Sequence, residues 1–436
     1  MSRETLLGWI ERDRDLLVDF LSRFIRVQSP NPPGDTRAAA QFVQGFLDAE
    51  ALPYRVIAPE PTMPNIVASF DGRAGAGRHL VLNGHMDVFP VGDGRGWTKD
   101  PWGGEVSAGR VWGRGACDMK CGTTVSIFVY RYLSRLADRL PGRLTLTVVS
   151  DEETFGEWGA RYLIANHPEV HGDCCLNAEP SSPHTIRFGE KGMLWLKFTV
   201  RARGGHSAYP HTADSATKMA VRLIGDLETL TTLTVAMPDD VRRAIAEGRD
   251  AIERGLGAGA TDIMDAITTN VGVLSGGLKI NMIPDECSFE YDVRLPIGMT
   301  RDMVMAEIQR ILARHPAASV REINATPPSS CDPQGDMVTI LQANVQALRG
   351  FAPPAIVSLG GTDARLWRYI GVPAYVYGPS PASMGGPDEF VDIEEFLHIL
   401  RTHTLSAYDY LLRFGAGNVT GDGTPSRPSP GSATGR

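Results

Sequence analysis

One histidine and five carboxylates follow strand-like or glycine-rich stretches of this sequence, and their types suit metal chemistry. They are His85, Asp87, Asp118, Glu152, Glu153 and Glu179. In an open α/β sheet, side chains just beyond the carboxyl ends of the strands share one crevice, so residues distant in sequence meet there. An imidazole and several carboxylates in one crevice make a site for a divalent metal. The pattern therefore predicts a metal centre at one edge of a sheet.

A catalytic divalent metal typically takes three protein ligands and leaves a position for water, whose pKa it lowers toward neutrality. The candidates for these ligands are His85, Asp118 and Glu179. Asp87, two residues after the histidine, is placed to accept the other imidazole N–H and fix the tautomer. Glu152 is the candidate general base that passes a proton from water to a leaving nitrogen. Its neighbour Glu153 points elsewhere and is a further candidate ligand.

Each of these residues also has an ordinary structural interpretation. A lone Asp after a strand is more often a turn or helix cap than a ligand. His85 alone is as often a hydrogen-bonded interior histidine, and the DEE run at 151–153 also suits the positive end of a helix dipole. The joint occurrence at four junctions favours the metal site, although spacing alone leaves the two interpretations about even.

Composition narrows the classes of partner. The 436 residues, 42% of them hydrophobic, suggest two domains. The net charge of -8 and the absence of a Lys/Arg run make nucleic acid and anionic membranes poor candidates, so a small-molecule substrate is expected. The N-terminus is too charged for a signal peptide, and no segment reaches the roughly 20 apolar residues of a membrane span. The six cysteines include no CxxC pair and are expected to be reduced in a cytoplasmic protein.

The order of strand-like and helical stretches predicts an α/β fold with an insertion. Strand-like runs (NIVASF, HLVLNG, LTLTVVS) alternate with helical stretches, which is typical of a mostly parallel sheet. Between 190 and 298, strict alternation of apolar and polar residues indicates half-buried strands of a separate α+β domain. The predicted catalytic domain is 1–189 plus 299–414, and 415–436 is expected to be disordered. A helical insert at about 232–268 shapes either the pocket or a dimer edge, and the sequence does not choose.

Seven motifs, taken in order, resemble those of the M20 metallopeptidase family. They are GHMDVFP, GRGACDMK, SDEET, NAEPSS, GGHSAYP, NMIPD with DVRLP, and GGTDAR. The family includes acetylornithine deacetylase, succinyl-diaminopimelate desuccinylase, aminoacylase and carboxypeptidase G. The resemblance spans nearly the whole chain apart from its termini. It implies a catalytic α/β domain interrupted by a smaller, ferredoxin-like lid that usually forms a homodimer.

The resemblance also implies roles within the metal centre. His85 and Glu179 resemble ligands of a first metal, and Asp118 resembles a carboxylate that bridges two metals. Glu152 resembles the acid/base, and Glu153 a ligand of the second metal. Asp87 resembles the residue that orients the histidine.

Further roles concern the substrate. His206 is similar to a histidine that reaches the active site of a neighbouring subunit and stabilises an oxyanion. Asn281 and Arg294 resemble lid residues that hold a substrate carboxylate, a task suited to a guanidinium. The loop residues that resemble a pocket lining are Gly360, Gly361 and Thr362. Without the resemblance, His206 is a solvated strand-end histidine and Arg294 forms a surface ion pair with Asp292.

One departure concerns the second metal. Two-metal members carry a histidine in a late segment of the form His-x-Pro-Asp-Glu, whereas this chain reads MGGPDEF with Gly385 at that place. His398 and His403 fall on the following amphipathic helix and are expected to be helix-face residues out of reach. We therefore expect one tight metal site and a weak or empty second one, with Zn or Mn equally suitable.

The leading hypothesis is a metal-dependent hydrolase that cleaves a C–N bond in a small carboxylate-bearing substrate, the amide of an N-acyl amino acid. Hydrolytic deamination of an aromatic amine, as in a nitroanthranilate aminohydrolase that resembles this group, is an alternative that the residues do not separate from it. A dipeptidase is less favoured because the second site is incomplete. An inactive small-molecule-binding homologue is the non-enzymatic alternative, and the retention of Glu152 argues against it.

Overall fold

The structure is a computed structural model that describes residues 3–413. Its helices are α1 (Arg3–Arg12), α2 (Arg14–Arg26), α3 (Arg37–Ala49), α4 (Lys120–Ser134), α5 (Ala160–Asn166), α6 (Ala216–Leu227), α7 (Asp239–Glu247), α8 (Arg249–Leu256), α9 (Arg301–Leu312), α10 (Asp336–Arg349), α11 (Ala364–Tyr369) and α12 (Ile393–Arg413). The segment 415–436, for which disorder is predicted, lies outside the described residues.

The strands belong to one large sheet, one four-stranded sheet and two smaller ones. They are β1 (Arg55–Ile57), β2 (Asn65–Asp71), β3 (His79–His85), β4 (Glu105–Ser107), β5 (Arg110–Trp112), β6 (Arg143–Val149), β7 (Cys174–Asn177), β8 (Ile186–Glu190), β9 (Gly192–Arg201), β10 (Gly205–His206), β11 (Thr268–Gly276), β12 (Met282–Ile283), β13 (Glu286–Leu295), β14 (Ala318–Thr326), β15 (Ser329–Ser330), β16 (Ala355–Ser358), β17 (Ala374–Val376) and β18 (Phe390–Asp392).

The large sheet has a parallel centre, as the sequence predicts for the α/β domain. Its order is β1-β2-β6-β3-β7-β17-β8-β15, with β16 beside β8. Strand β3 runs parallel to both β6 and β7, and β17 runs parallel to β7. Leu80, Val81 and Leu82 of β3 are all fully buried, because helices cover both faces of the sheet and each face needs apolar side chains. The predicted strands NIVASF, HLVLNG and LTLTVVS are confirmed as β2, β3 and β6.

The N-terminal helices cover this sheet. The apolar residues at helical spacing in α1 and α2 are buried in the large core, namely Leu6, Ile10, Leu17, Leu21 and Phe24. Helix α2 contacts α4, which in turn contacts β3. Both helices are therefore amphipathic, with one face in the core.

The small domain, as we call the four-stranded sheet with α6 and α9, is ferredoxin-like. Along the chain its elements are β9, α6, β11, β13, α9 and β14, and the antiparallel sheet has the order β11-β13-β9-β14. This is the βαββαβ arrangement. Leu194, Leu196 and Phe198 of β9 are buried against the helices while Trp195 and Lys197 are half-buried, as the alternation predicts.

One boundary differs from the sequence-based expectation, and the structure shows where the insert packs. The return to the large domain, predicted at residue 299, comes only after 326, because β14 pairs with β9 and completes the small sheet. Its side chains are mostly half-exposed, so its sequence carries only weak alternation. The insert at 232–268 does not pack on the small sheet alone, since α7 and α8 bury Val241, Ile245 and Ile252 in the core of the large domain.

None of the helices within residues 3–413 combines the length and the apolar run that a membrane crossing needs. All six cysteines are free in the structure, and five of them are buried.

Candidate active site

The adjacent strands β6, β3 and β7 place their carboxyl ends side by side, and the predicted cluster forms there. His85 is the last residue of β3, Glu152 and Glu153 follow β6, and Glu179 follows β7. Asp118 enters from the loop before α4. We call these five residues the acid cluster. The crevice rule for parallel sheets thus brings together residues that span almost 100 positions of the chain.

The imidazole of His85 lies at the centre of the acid cluster. Its Nε2 is 3.3 Å from Asp118 Oδ1, 3.3 Å from Glu179 Oε1 and 3.9 Å from Glu152 Oε2. Two groups have ligand atoms within 4.8 Å of one another, namely His85 with Glu152 and Glu179, and His85 with Asp118 and Glu153. The distances therefore agree with a shared cation site.

The donor set fits a divalent metal. Glu179 Oε2 and Glu153 Oε1 are buried without a hydrogen-bond partner among the described residues. A buried carboxylate oxygen with no partner is costly, and a cation removes that cost. One imidazole and several carboxylates form the ligand set that Zn or Mn accepts.

The second imidazole nitrogen is held differently from the prediction. His85 Nδ1 lies 2.9 Å from the backbone carbonyl oxygen of Asp87, whereas it lies 3.5 Å from the Asp87 Oδ1. The other carboxylate oxygen, Oδ2, accepts from Asn31 Nδ2 (2.9 Å) and from the backbone N–H of Glu153 (3.1 Å). Asp87 therefore orients the histidine mainly through its main chain, and its carboxylate positions the backbone beside the proposed base.

The environment of Glu152 suits proton transfer. Burial raises the pKa of Glu152 well above its ordinary value, and the charge of Glu179 adds to this, while His85 and Arg365 act against it. The guanidinium Nη1 of Arg365 is 3.5 Å from Glu152 Oε1. A carboxyl group whose pKa lies closer to neutrality accepts and returns protons more efficiently. For His85, burial lowers the pKa but the surrounding carboxylates outweigh it and raise the pKa well above its usual value.

The sequence reasoning missed four buried residues around the cluster. They are Arg187, Glu190, Asp363 and Arg365. Arg187 borders the cavity, and its Nε has no hydrogen-bond partner among the described residues. Burial raises the pKa of Asp363 to about 7. The GGTDAR motif contains two of these residues, so it was the one signal that pointed to them.

Glu190 fixes the loop that was predicted to line the pocket. Its carboxylate accepts from the backbone N–H (3.1 Å) and the hydroxyl (3.0 Å) of Thr362, and it pairs with Arg368 Nη1 at 3.0 Å. Glu190 and Arg368 are both almost fully buried. The loop after β16 is therefore held by a buried ion pair rather than by its own turn.

A cavity of about 700 Å³ opens over the acid cluster. The sequence-predicted residues that line it are Asp118, Glu152, Glu153, Glu179, Arg294, Gly360, Gly361 and Thr362. Arg294 also forms the ion pair expected from the alternative interpretation, with Nε 3.0 Å from Asp292 Oδ2. The ion pair leaves the arginine at the cavity wall, so its role in holding a substrate carboxylate stays a prediction.

His206 and Asn281 do not join this cavity within the chain. The short antiparallel pair of β10 and β12, together with the adjoining Asn281, is what we call the ribbon, and His206 faces Met282 within it. The backbone N–H of Ser207 donates to the carbonyl of Asn281 (3.1 Å), and His206 is exposed. The structure thus brings these two residues close to each other and not to the acid cluster.

The segment that lacks the late histidine is firmly held. Gly385 has φ +71°, and its carbonyl accepts from Arg114 Nη2 at 3.0 Å. Glu389 Oε1 accepts the backbone N–H groups of Gly115, Cys117 and Asp118 at 3.1, 2.9 and 3.0 Å. The end of this segment therefore braces the loop that carries Asp118, a predicted ligand.

The two histidines of α12 are buried away from the cluster. His398 Nε2 shares a hydrogen bond of 2.8 Å with the hydroxyl of Tyr377, and His403 Nε2 lies 2.5 Å from the Tyr377 carbonyl. Burial lowers the pKa of His398 to about 3 and that of His403 to about 4. Both are interior residues of the large domain.

The site and the fold match a known family. The description of that family is Peptidase family M20/M25/M40, and its model matches residues 81–408. The chain belongs to this family. It is accordingly a metal-dependent hydrolase of the amidohydrolase type, and its divalent-metal dependence agrees with the two ligand groups around His85.

Relatives and solved structures of this family resemble most of the chain. A succinyl-diaminopimelate desuccinylase of Cereibacter sphaeroides (strain KD131 / KCTC 12085) is 31% identical over 344 residues, which cover 76% of this chain and 83% of that protein. Another, from Methylobacterium nodulans, is 30% identical over 373 residues and covers 81% and 86%. An M20 family metallo-carboxypeptidase from Sulfolobus solfataricus superimposes with a TM-score of 0.77 at 17% identity, covering 91% of this chain and 99% of that one. At this identity the structural likeness supports the fold alone.

Proposed function

We propose that the protein is a hydrolase that removes the acyl group from an N-acyl amino acid. The observation that carries the proposal is the buried carboxyl of Glu152, with its raised pKa, 3.9 Å from His85 at the floor of the cavity. The relatives of about 30% identity are named desuccinylases, which are enzymes that remove an acyl group. A carboxyl of this kind beside a metal-ligand set is what amide hydrolysis requires.

The chain's own residues divide the work. His85, Asp118 and Glu179 would hold a divalent cation, which polarises the amide carbonyl and makes water a better nucleophile. Glu152 takes the proton from the attacking water and gives it to the departing nitrogen. Arg365, 3.5 Å from Glu152, favours the ionised carboxylate and keeps the group able to accept that proton.

We propose one tightly held metal per chain. Gly385 offers no ligand, and its positive φ means that a histidine at this position needs a backbone conformation that L-residues rarely adopt. Metal analysis of purified protein tests this, with one equivalent of Zn or Mn expected after gel filtration. Two tightly bound equivalents would contradict it.

A homodimer through the small domain is the proposed assembly. Strand β11 is at the edge of the small sheet and exposes Val273 (51%) and Leu274 (57%), while Ile280 in the following loop is fully exposed. Exposed apolar side chains on an unpaired edge are a surface that pairing covers. Light scattering measures the mass directly, and a monomer at micromolar concentration would refute the assembly.

The reaction is tested with metal-loaded protein and three groups of compounds, namely N-acyl amino acids, dipeptides and aminobenzoates. We expect release of free amino acid from the first group. Release of ammonia from aminobenzoates alone would replace deacylation by deamination of an aromatic amine. Turnover of dipeptides alone would make the protein a peptidase.

A further inference from the structure

We propose that the cavity selects N-acyl amino acids whose side chain is apolar, aromatic or branched aliphatic, and this inference rests on the proposed deacylation. Apart from the acid cluster, the described cavity lining contains no carboxylate. Its apolar members come from three separate parts of the fold and are Phe89, Phe155, Trp195, Leu256, Leu359 and Met384. A side chain bearing a second ammonium group would find no free anionic partner there, whereas an apolar side chain would be desolvated favourably.

The carboxylate of Asp292 links the aromatic ring of Trp195 to the guanidinium of Arg294 at the cavity wall. Asp292 Oδ1 accepts from the indole Nε1 of Trp195, and Asp292 Oδ2 accepts from Arg294 Nε, both at 3.0 Å. Trp195 and Asp292 are register partners on β9 and β13, and Arg294 follows two residues later on the same face. An apolar surface and a guanidinium are thus held a fixed distance apart. In an amino acid, the side chain and the carboxylate branch from one carbon, so this unit matches both groups of the same half of the substrate.

The large domain supplies a second aromatic ring. The ring of Phe155 lies 6.1 Å from that of Trp195 at an interplanar angle of 78°. The Arg365 guanidinium lies 4.5 Å from the centroid of the Phe155 ring, and a side chain at Gly361 would approach the ring to 3.0 Å. Phe155 is therefore fixed by packing and presents a defined apolar edge.

The insert at 232–268 contributes the remaining part of the apolar cavity wall. Gly255, Leu256 and Gly257, at the end of α8, reach the cavity. A side chain at Gly255 would come within 3.0 Å of Ser182, so glycine permits this close approach. The role of the insert, left open between pocket and dimer edge, is thereby assigned to the pocket.

The wall is rigid because buried and charged groups anchor it. Glu253 accepts the backbone N–H groups of Gly259 (2.6 Å) and Thr261 (3.0 Å). Lys191 Nζ donates to the carbonyls of Ile263 (2.9 Å) and Ala266 (2.7 Å), which ties the insert to the start of β9. A pocket whose walls are already ordered discriminates side chains with little ordering cost.

The test is a series of substrates with one acyl group. We expect kcat/KM for N-acetylphenylalanine and N-acetylleucine to exceed that for N-acetylglycine by about 10-fold or more, since an added methylene in an apolar pocket is worth about 10-fold. N-succinyl-diaminopimelate should be a poorer substrate than N-succinylphenylalanine. Equal rates for glycine and phenylalanine derivatives, or a preference for the diaminopimelate compound, would overturn the inference.

Variants of the cavity lining identify the residues that cause the preference for apolar side chains. Leu256→Ala and Trp195→Ala should each reduce the phenylalanine-to-glycine ratio of kcat/KM about 5- to 10-fold, mainly through KM. Trp195→Phe should restore part of the ratio. Leu16→Ala, a matched change at an exposed position of α2, should leave the ratio as in the wild type.

Binding measured without turnover tests the apolar pocket independently of the proposed deacylation. Calorimetric titration of Glu152→Gln protein with N-acetylphenylalanine and N-acetylglycine reports selection without turnover. Tighter binding of the phenylalanine compound supports the apolar pocket even if no amide is hydrolysed, in which case the proposed reaction alone fails. Equal affinities contradict the pocket, even when hydrolysis is observed.

Discussion

The acid cluster and the ribbon are two groups of motif residues with opposite surroundings. His85, at the centre of the cluster, is 1% exposed and has carboxylates on one nitrogen and a carbonyl on the other. His206, in the ribbon, is exposed, and its Nδ1 only accepts from the nearby backbone N–H of Ala208 (3.1 Å). His85 is thus enclosed by polar groups of its own chain, whereas the ring of His206 remains largely open to solvent.

The contrast between the buried acid cluster and the exposed ribbon suggests that the two groups serve different steps of the proposed reaction. The strand ends of one sheet and the loop before α4 bring the proposed proton shuttle and the proposed cation ligands together within a single chain. The ribbon is a short pairing with an exposed histidine, so we expect its residues to suit a contact made between subunits or after domain movement. Experiments that disturb one group and then the other separate these two contributions.

Replacing Glu152 by Gln should have the largest effect, because it removes the proton acceptor of the cluster while keeping its shape. We expect kcat to fall by at least about 10²- to 10⁴-fold with metal content unchanged. Steady-state kinetics with elemental analysis measures both. Glu157→Gln, an exposed acid of the same loop, is the control and should remain near wild type. A near-normal rate for Glu152→Gln would remove this residue from the mechanism.

The second largest effect should be the loss of stability when the buried ion pair of Glu190 and Arg368 is broken. Glu190→Gln leaves Arg368 buried without its charge partner, so the free energy of unfolding should fall by about 3–5 kcal/mol. Denaturant unfolding measures the loss. The double variant Glu190→Gln/Arg368→Met should recover part of it.

The control for that change is Asp138→Asn, which breaks the solvent-exposed pair with Arg73 and should leave the free energy of unfolding almost unchanged. If Glu190→Gln were equally harmless, the ion pair would not be what holds the Thr362 loop.

His206→Ala tests the ribbon. If the ribbon supplies an oxyanion-stabilising group to a partner's cluster, kcat should fall about 10²- to 10³-fold. Mixing equal amounts of this variant and Glu152→Gln under subunit exchange should restore about a quarter of wild-type activity, because about half of the dimers are mixed and one of the two sites in each mixed dimer is intact. His211→Ala, at another exposed histidine, is the control. A full rate for His206→Ala, or no recovery on mixing, would leave the cluster self-sufficient.

The smallest effect concerns the scaffold behind the cluster. The folded pKa of His403, about 4, is below the ordinary 6.5, so between these values the unfolded chain binds more protons. The contribution of His403 to the free energy of unfolding is fully present above pH 6.5. As the pH falls toward 4, this contribution declines by about 1.4 kcal/mol per pH unit. His403→Gln should flatten that slope in thermal unfolding measured from pH 7 to 4.5. An unchanged slope would mean that other groups dominate the acid sensitivity.

The strand ends were predictable because two local signals coincided. The fully apolar run of β3 and the carboxylates after β6 and β7 are visible in consecutive residues, and the crevice rule joins them. The half-buried strands of the small domain were predictable from a local signal too, since β9 and β13 alternate strictly. Helix α9 and strand β14 fell beyond the predicted boundary at residue 298.

Long-range partners were not predictable from one sequence. Glu190 meets Arg368 across 178 positions, and Arg365 meets Glu152 across 213. No periodicity encodes such pairs, because they depend on which strands become neighbours. Strand β14 was missed for a related reason, as only its pairing with β9 shows where it belongs.

Glu389 makes the Asp118 loop independent of the side chain at residue 385. Its carboxylate accepts hydrogen bonds from three main-chain amides of that loop, and it lies four residues after Gly385. The aim of the proposed ligand Asp118 is therefore set by a residue that is not itself a proposed ligand. We expect that loop to keep its position whether or not residue 385 supplies a ligand.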